Sequence, residues 1–465
     1  MNRRRDRISY LPDPIRSHIL SFLPMKDASR ASILSRQWEA LTSSLSNLVF
    51  DQLDVEIQKF KPAEFRNFVD AVLIRHDGSD IQSFCLKANI DNVFMPFHHF
   101  SACVSFAVDH NAKQIELWTS ENPRVKEIRR LPRRFFTCKT VTALNLVGLI
   151  IEWPLIVKFP ALKSFTLHDI AFCKEETINR LISSSTCPVL EDLTIIHCYL
   201  PPPATISISN SSVKCLKVHD MSDLPIKILI TTLRALKCIC IRPANLSFEN
   251  LSTLSSASVD FLENFDFPNV AVDEEFKCAT KLVKCLSSVK NLTIKSGVTE
   301  FISRGGDLRA CLTSPCCSVK YLHLGIYPVK LHVQVIKLLL RTYPNVQTMK
   351  ISVDDPMEIS TFSKTADMEE EWQLKEMSHE SILNCLETVE VINFQGYEAE
   401  VEILRYLVES AHFLKNLNIH RRSSFIKKWT QVSCGQEEAQ IEEAQITALL
   451  SFIARDFPGV STSVN

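Results

Sequence analysis

The aliphatic residues through the middle of this chain follow one short, recurring pattern: an aliphatic residue, two others, then aliphatic-x-aliphatic. It reads Ile81-x-x-Phe84-x-Leu86, Val141-x-x-Leu144-x-Leu146, Leu162-x-x-Phe165-x-Leu167, Leu190-x-x-Leu193-x-Ile195 and Val213-x-x-Leu216-x-Val218. It continues as Leu236-x-x-Ile239-x-Ile241, Val289-x-x-Leu292-x-Ile294, Val319-x-x-Leu322-x-Leu324, Val346-x-x-Met349-x-Ile351, Leu386-x-x-Val389-x-Val391 and Leu414-x-x-Leu417-x-Ile419, with a weaker copy at Ala112-x-x-Ile115-x-Leu117. Alternate residues of a strand face the same way, so the last two aliphatics of each copy point into one core. The first lies on the entering turn and packs beneath them. Copies start about 21 to 40 residues apart, a spacing typical of repeat architectures. The interval from Leu236 to Val289 is about two units long, and a degenerate copy is expected between Val259 and Phe265.

Helix-like stretches lie between the strands, for example at residues 175–182 and 333–340. A strand followed by a helix, repeated, builds a parallel sheet. The array resembles a plant-type degenerate leucine-rich-repeat solenoid, in which the sheet is curved. An ordinary α/β domain is the alternative. The asparagine typical of regular repeats is mostly missing, so asparagine ladders between strands should be incomplete.

Residues 11–41, LPDPIRSHILSFLPMKDASRASILSRQWEAL, have a different period. Ile15, Ile19, Phe22 and Leu23 recur at helical spacing. Asp13 is placed to cap that helix with Pro14 at its first position, and Pro24 ends it. A second helix, capped by Asp27, should carry Ala31, Leu34, Trp38 and Leu41 on one face. A unit of this size seldom folds alone. Its apolar stripes must pack either on the chain's own next domain or on another protein.

The same string resembles an F-box, through Leu11-Pro12, Ile15, Ile19, Ser21-x-Leu23-Pro24, Lys26-Asp27, Arg30, Ser32-x-Leu34-Ser35 and Trp38. Pro14 stands where the family usually carries an acidic residue, and Arg16-Ser17-His18 is more polar than its usual leucine-rich run. The resemblance implies docking to the Skp-type adaptor of a cullin–RING ubiquitin ligase through Leu11, Pro12, Ile15, Ile19, Leu23, Pro24, Leu34 and Trp38. After Ile351 the repeat pauses at an acidic stretch, 354–380. It then resumes with Cys385-Leu386-Glu387-Thr388-Val389-Glu390-Val391, Phe394-Gln395-Gly396-Tyr397-Glu398 and an amphipathic helix over 399–411 carrying Val401, Leu404, Leu407 and Val408. Phe413-Leu414-Lys415-Asn416-Leu417-Asn418-Ile419 closes that unit. This order resembles the FBD domain that follows an F-box and leucine-rich repeats in plants. The expected organisation is therefore α/β: a helical F-box (1–50), a degenerate repeat solenoid (51–351), an acidic loop (352–380) and an FBD-like region (381–465). The tail should hold a helix over 441–454 and then a loose end.

Composition narrows the chemistry. Of 465 residues, 46% are hydrophobic, enough for a large core, and the net charge of -1 favours neither nucleic acid nor an anionic membrane. With only 9 glycines, Gly-rich phosphate loops are nearly excluded, and Gly305-Gly306 reads as a turn. The amino terminus carries Arg3-Arg4-Arg5 but no apolar signal segment, which points to the cytoplasm or nucleus. The 16 cysteines are then reduced and act as small hydrophobes. No run of about 20 apolar residues is present, so no membrane span is expected. No G-x-S-x-G elbow, P-loop or H-E-x-x-H occurs. His98-His99 reads as part of a loop, and Cys316-Cys317 and Cys238-x-Cys240 lack zinc-site spacing.

The expectation is a non-enzymatic receptor subunit with no catalytic residues, no cofactor and no metal. Its partners would be the Skp-type adaptor, the cullin–RING ligase behind it and a target protein. A repeat scaffold outside any ligase, with the amino-terminal helices serving only as a cap, is the rival. A small-ligand sensor is a third possibility, although the strands carry no obvious basic column.

Overall fold

The structure, a computed structural model, describes residues 8, 10–52, 62–90, 95–120, 129–219, 224–248, 251–261, 272–286, 288–303, 316–354, 383–422 and 436–464. The acidic stretch after Asp354, the arginines at 3–5, Gly305-Gly306 and the basic stretch after Arg422 lie outside the described residues. The chain divides into two compact units, the first ending at Leu224 and the second beginning at Pro225.

The first unit opens with three helices, α1 (Asp13–Ser21), α2 (Met25–Ala31) and α3 (Arg36–Ser43). The strands β1 (Asn47–Asp51), β2 (Ser83–Asn89), β3 (Gln114–Ser120), β4 (Ala143–Val147), β5 (Ser164–His168), β6 (Asp192–Ile196), β7 (Ile206–Ile208) and β8 (Cys215–His219) follow. They are interleaved with helices α4 (Pro62–Arg75), α5 (Phe97–Asp109) and α6 (Glu175–Leu181). All but β7 form one parallel sheet in chain order, and its register aligns the aliphatic pattern into columns. Phe84, Ile115, Leu144, Phe165, Leu193 and Leu216 are successive partners, as are Leu86, Leu117, Leu146, Leu167, Ile195 and Val218. Every one of these side chains is buried. So are the leading residues Ile81, Ala112, Val141, Leu162, Leu190 and Val213. An earlier copy at Leu45-x-x-Leu48-x-Phe50 starts the ladder, with Leu48 opposite Phe84 and Phe50 opposite Leu86.

The second unit repeats the device. Its strands are β9 (Ile226–Ile228), β10 (Ala235–Cys240), β11 (Leu246–Phe248), β12 (Ser256–Phe261), β13 (Asn291–Ile294), β14 (Tyr321–Ile326), β15 (Thr348–Val353), β16 (Thr388–Phe394), β17 (Asn416–Arg421) and β18 (Ser461–Val464). The helices are α7 (Val272–Cys285), α8 (Ser296–Ser303), α9 (Lys330–Thr342), α10 (Glu398–Ser410) and α11 (Gln436–Asp456). Strands β10 and β12 to β18 form a parallel sheet, and β9 pairs with β11.

Three sequence expectations change here. In β10 the inward residues are Leu236, Cys238 and Cys240, led by Leu233, while Ile239 points to the other face. The pattern is therefore shifted three residues from Leu236-x-x-Ile239-x-Ile241, because small, apolar cysteine thiols fill the core positions. The degenerate copy lies at Leu254-x-x-Ala257-x-Val259, where alanine replaces the usual large aliphatic. The loose end is an edge strand, β18, which pairs with β17 in register from Asn416–Ser461 to Ile419–Val464.

The thiols follow the same physics. Burial pushes the Cys85, Cys103 and Cys187 thiols up to about 12, which keeps them protonated and inert. Asn210 supplies a local substitute for the missing asparagine ladder. It is fully buried, and its Nδ2 donates to the carbonyls of Ile182 (3.2 Å) and Cys187 (2.9 Å). His98 and His99 lie in the first turn of α5 rather than in a loop, because Pro96 caps that helix; His99 Nε2 is 2.7 Å from Asp70 Oδ1.

Cutting a column should be costly. Phe165→Ala should destabilise the chain by about 3–5 kcal/mol, whereas Thr166→Ala on the opposite face should change stability by under about 0.5 kcal/mol. Urea denaturation followed by circular dichroism checks both.

Candidate functional site

The amino-terminal helices enclose a small core made of Leu20, Met25, Ala28, Trp38, Leu41 and Leu45. Arg16 lies inside it. Its guanidinium is 5.6 Å from the centre of the Trp38 ring and donates to Gln37 Oε1 at 3.2 Å and to Asp13 Oδ1. A charge buried against an aromatic face and held by two oxygen acceptors is partly compensated for its lost hydration. The polar run Arg16-Ser17-His18 thus has a structural use: it ties α1 to α3.

The helix boundaries differ from the expected pair. Pro12 rather than Asp13 caps α1, and Pro24 rather than Asp27 caps α2. Asp27 instead lies in the first turn of α2, 3.2 Å from Arg30. The second expected helix is two helices, because Ser35 is extended and its hydroxyl accepts from Trp38 N–H at 3.4 Å, which restarts the helix at Arg36. The break separates Leu34 from Trp38. Trp38 is 5% exposed and Leu34 is 71% exposed.

Of the residues expected at the docking surface, Pro12, Ile15, Leu23, Pro24 and Leu34 are exposed, Leu11 and Ile19 are half-buried and Trp38 is buried. Phe22 (74% exposed) and Ile33 (84% exposed) join the exposed group. The helical spacing places Phe22 on the apolar stripe of the first helix and gives Ile33 no role. The signal for both was local: each adjoins an apolar neighbour at a helix end, where the 3.6-residue period no longer dictates facing.

This helical unit is joined firmly to the ladder. Ser46 O accepts from Gln82 N (2.8 Å) and Ser83 N (3.1 Å), and Ser43 O accepts from Asp77 N at 3.0 Å. His76 Nε2 is 3.2 Å from Leu45 O, and burial pulls the His76 imidazole below its usual range. A groove of about 440 Å³ runs between the helices and α4, lined by Ser32, Arg36 and Glu39 on one side and by Phe68, Val72 and Arg75 on the other.

In the carboxy-terminal unit, the loop 395–397 turns its N–H groups onto Glu400. Glu400 Oε2 accepts from Gln395, Gly396 and Tyr397 N–H at 3.0, 2.6 and 3.1 Å. Helix α10 then buries Ala399, Ile403, Leu404, Leu407 and Val408. Val401, expected on that stripe, is half-buried.

Comparison with known families matches these same three regions. Residues 8–50 match the F-box domain, residues 102–301 match the LRR repeats of FBD-associated F-box protein At5g56370, and residues 379–419 match the FBD domain. The chain carries an F-box domain, LRR repeats and an FBD domain, in that order. Among Arabidopsis thaliana relatives, a probable FBD-associated F-box protein is 24% identical over 91% of this chain and 94% of its own length. F-box/LRR-repeat protein 13 is 26% identical over 89% of each chain. A further F-box protein is 33% identical over 41% of this chain and 58% of its own length. Among the described residues no helix is long and apolar enough to cross a membrane.

Within the F-box, Trp38 and Leu34 should respond oppositely to truncation. Trp38→Ala should cost about 3–5 kcal/mol of stability and Leu34→Ala under about 0.5 kcal/mol. Thermal melts of the two full-length variants check this.

Proposed function

We propose that this protein is the substrate-recognition subunit of an SCF-type ubiquitin ligase. The F-box docks on the Skp-type adaptor, and the repeats hold a target protein for ubiquitination. The observation that carries this reading is the set of large apolar side chains left bare on the F-box: Ile15, Phe22, Leu23, Ile33 and Leu34. Scattered exposed apolar residues are ordinary, but five within about 20 residues of one small helical unit mark an interaction surface. A unit that served only to cap the repeats would need its inward residues, such as Met25, Ala28 and Leu45, and would gain nothing from the outward five.

On this reading the chain does no bond chemistry. It contributes proximity, since holding a target lysine beside an activated thioester raises the effective concentration of the reactants. The F-box is continuous with β1 through Leu45 and Ser46, so docking at one end fixes the adjoining repeats relative to the adaptor.

The docking reading makes a specific demand on the exposed residues. Ile15→Glu and Leu34→Glu place charges on the apolar surface and leave the inner core untouched. Each should weaken capture of a purified Skp-type adaptor by the full-length chain by more than about tenfold, since a few apolar anchors dominate such interfaces. Unchanged capture by a double variant with a native circular dichroism spectrum would remove the docking assignment.

A further inference from the structure

The ladder register brings together groups that lie far apart in sequence. His168 ends β5, Asp169 follows it, and His197 follows the end of β6. His168 Nε2 is 3.4 Å from Asp169 Oδ2, and His197 Nδ1 is 3.6 Å from Asp169 Oδ1. The ligand atoms of all three residues lie within 4.8 Å of one another. His219 extends the row, with its ring centre 4.5 Å from that of His197.

These separations are long for charge-assisted hydrogen bonds, which close to about 2.7–2.9 Å. The two imidazoles face different oxygens of Asp169, so the three donors, within 4.8 Å of one another, would draw in towards the about 3.3–3.4 Å that zinc bonds of about 2.0–2.1 Å set between neighbouring ligand atoms of a tetrahedral site. The backbone already holds the donors in place. Asp169 N–H donates to Ile196 O (3.0 Å) and His197 N–H to His219 O (2.8 Å), with Asp169 and His197 both at positive φ (54° and 47°). Beyond His197, Cys198 is buried and its thiol points to Leu167 O, while Tyr199 N–H donates to Ile170 O at 2.9 Å.

We propose that His168, Asp169 and His197 form a binding site for one divalent transition-metal ion such as Zn²⁺, with solvent completing the coordination. Two imidazoles and a carboxylate favour zinc, cobalt, nickel or copper over magnesium or calcium, which prefer all-oxygen sites. The partly exposed position leaves the outer side of the ion open.

Cobalt titration of the reduced, metal-free, full-length protein tests this, because Co²⁺ replaces zinc and its absorption spectrum reports the ligand type. The expected result is one equivalent bound, displaced by Zn²⁺, with no thiolate charge-transfer band. His168→Gln, Asp169→Asn and His197→Asn should each weaken binding by more than about tenfold, given that losing even a residue behind a ligand costs about 10–100-fold. Asparagine tolerates positive φ, so the last two changes preserve the backbone. If one variant loses its native circular dichroism spectrum, the others decide. Absence of Co²⁺ binding by the unmodified chain, a thiolate band, or full affinity in natively folded variants would each overturn the proposal.

Discussion

Parallel pairing in register is the constraint on which both units rest, with one shift between Ile392 and Phe394 where β16 pairs with β17. A strand presents side chains with a period of two, so a slip of one residue would turn every inward aliphatic outward. The columns running from Phe84 to Leu216 and from Leu86 to Val218 show what prevents the slip: each strand places two buried side chains directly beside two from its neighbour. The leading aliphatic three residues earlier adds a third anchor on the incoming turn. Intervening segments can then vary in length, because the strand fixes position and the connection only has to return.

Much of the ladder was legible in the sequence for that reason. Aliphatic residues at a fixed spacing are a direct record of burial. The pattern fails where core volume is supplied by residues that do not look like core. Cys238 and Cys240 fill β10, and Ala257 fills β12, so the register of that stretch had to come from the pairing Leu236–Ala257 and Cys238–Val259. The first copy, Leu45-x-x-Leu48-x-Phe50, escaped notice because it directly follows the F-box helices. Strand β18 is not legible in the sequence because Ser461 to Val464 carries no inward aliphatic pair; backbone pairing to β17 and a hydrogen bond from Ser463 Oγ to Asn418 Oδ1 (2.8 Å) define it.

The F-box was legible as a motif and less so as a surface. Its helical period picks out the inner residue Leu41 but passes over Leu20, since caps and breaks decide facing in helices of seven to nine residues. Ser35 illustrates this. One hydroxyl, by capping α3, separates Leu34 from Trp38 and so divides an apparently continuous stripe into a docking residue candidate and a core residue. Arg16 illustrates the converse, because a charge that reads as solvent-facing becomes the link between two helices once Trp38, Asp13 and Gln37 surround it.

The turns after the strands complete the logic. After β4 the chain turns at Gly148 (φ 69°), where a Cβ would meet Thr119 O at 2.1 Å, so only glycine fits. One repeat later the same step falls on Asp169, and the next on His197, two of the few side-chain types that tolerate this conformation. A backbone requirement repeated along the ladder therefore selects polar, ligating side chains at neighbouring corners. The stacking that aligns the aliphatic columns inside also stacks these corners outside, and so residues 28 positions apart in the chain come to share one site.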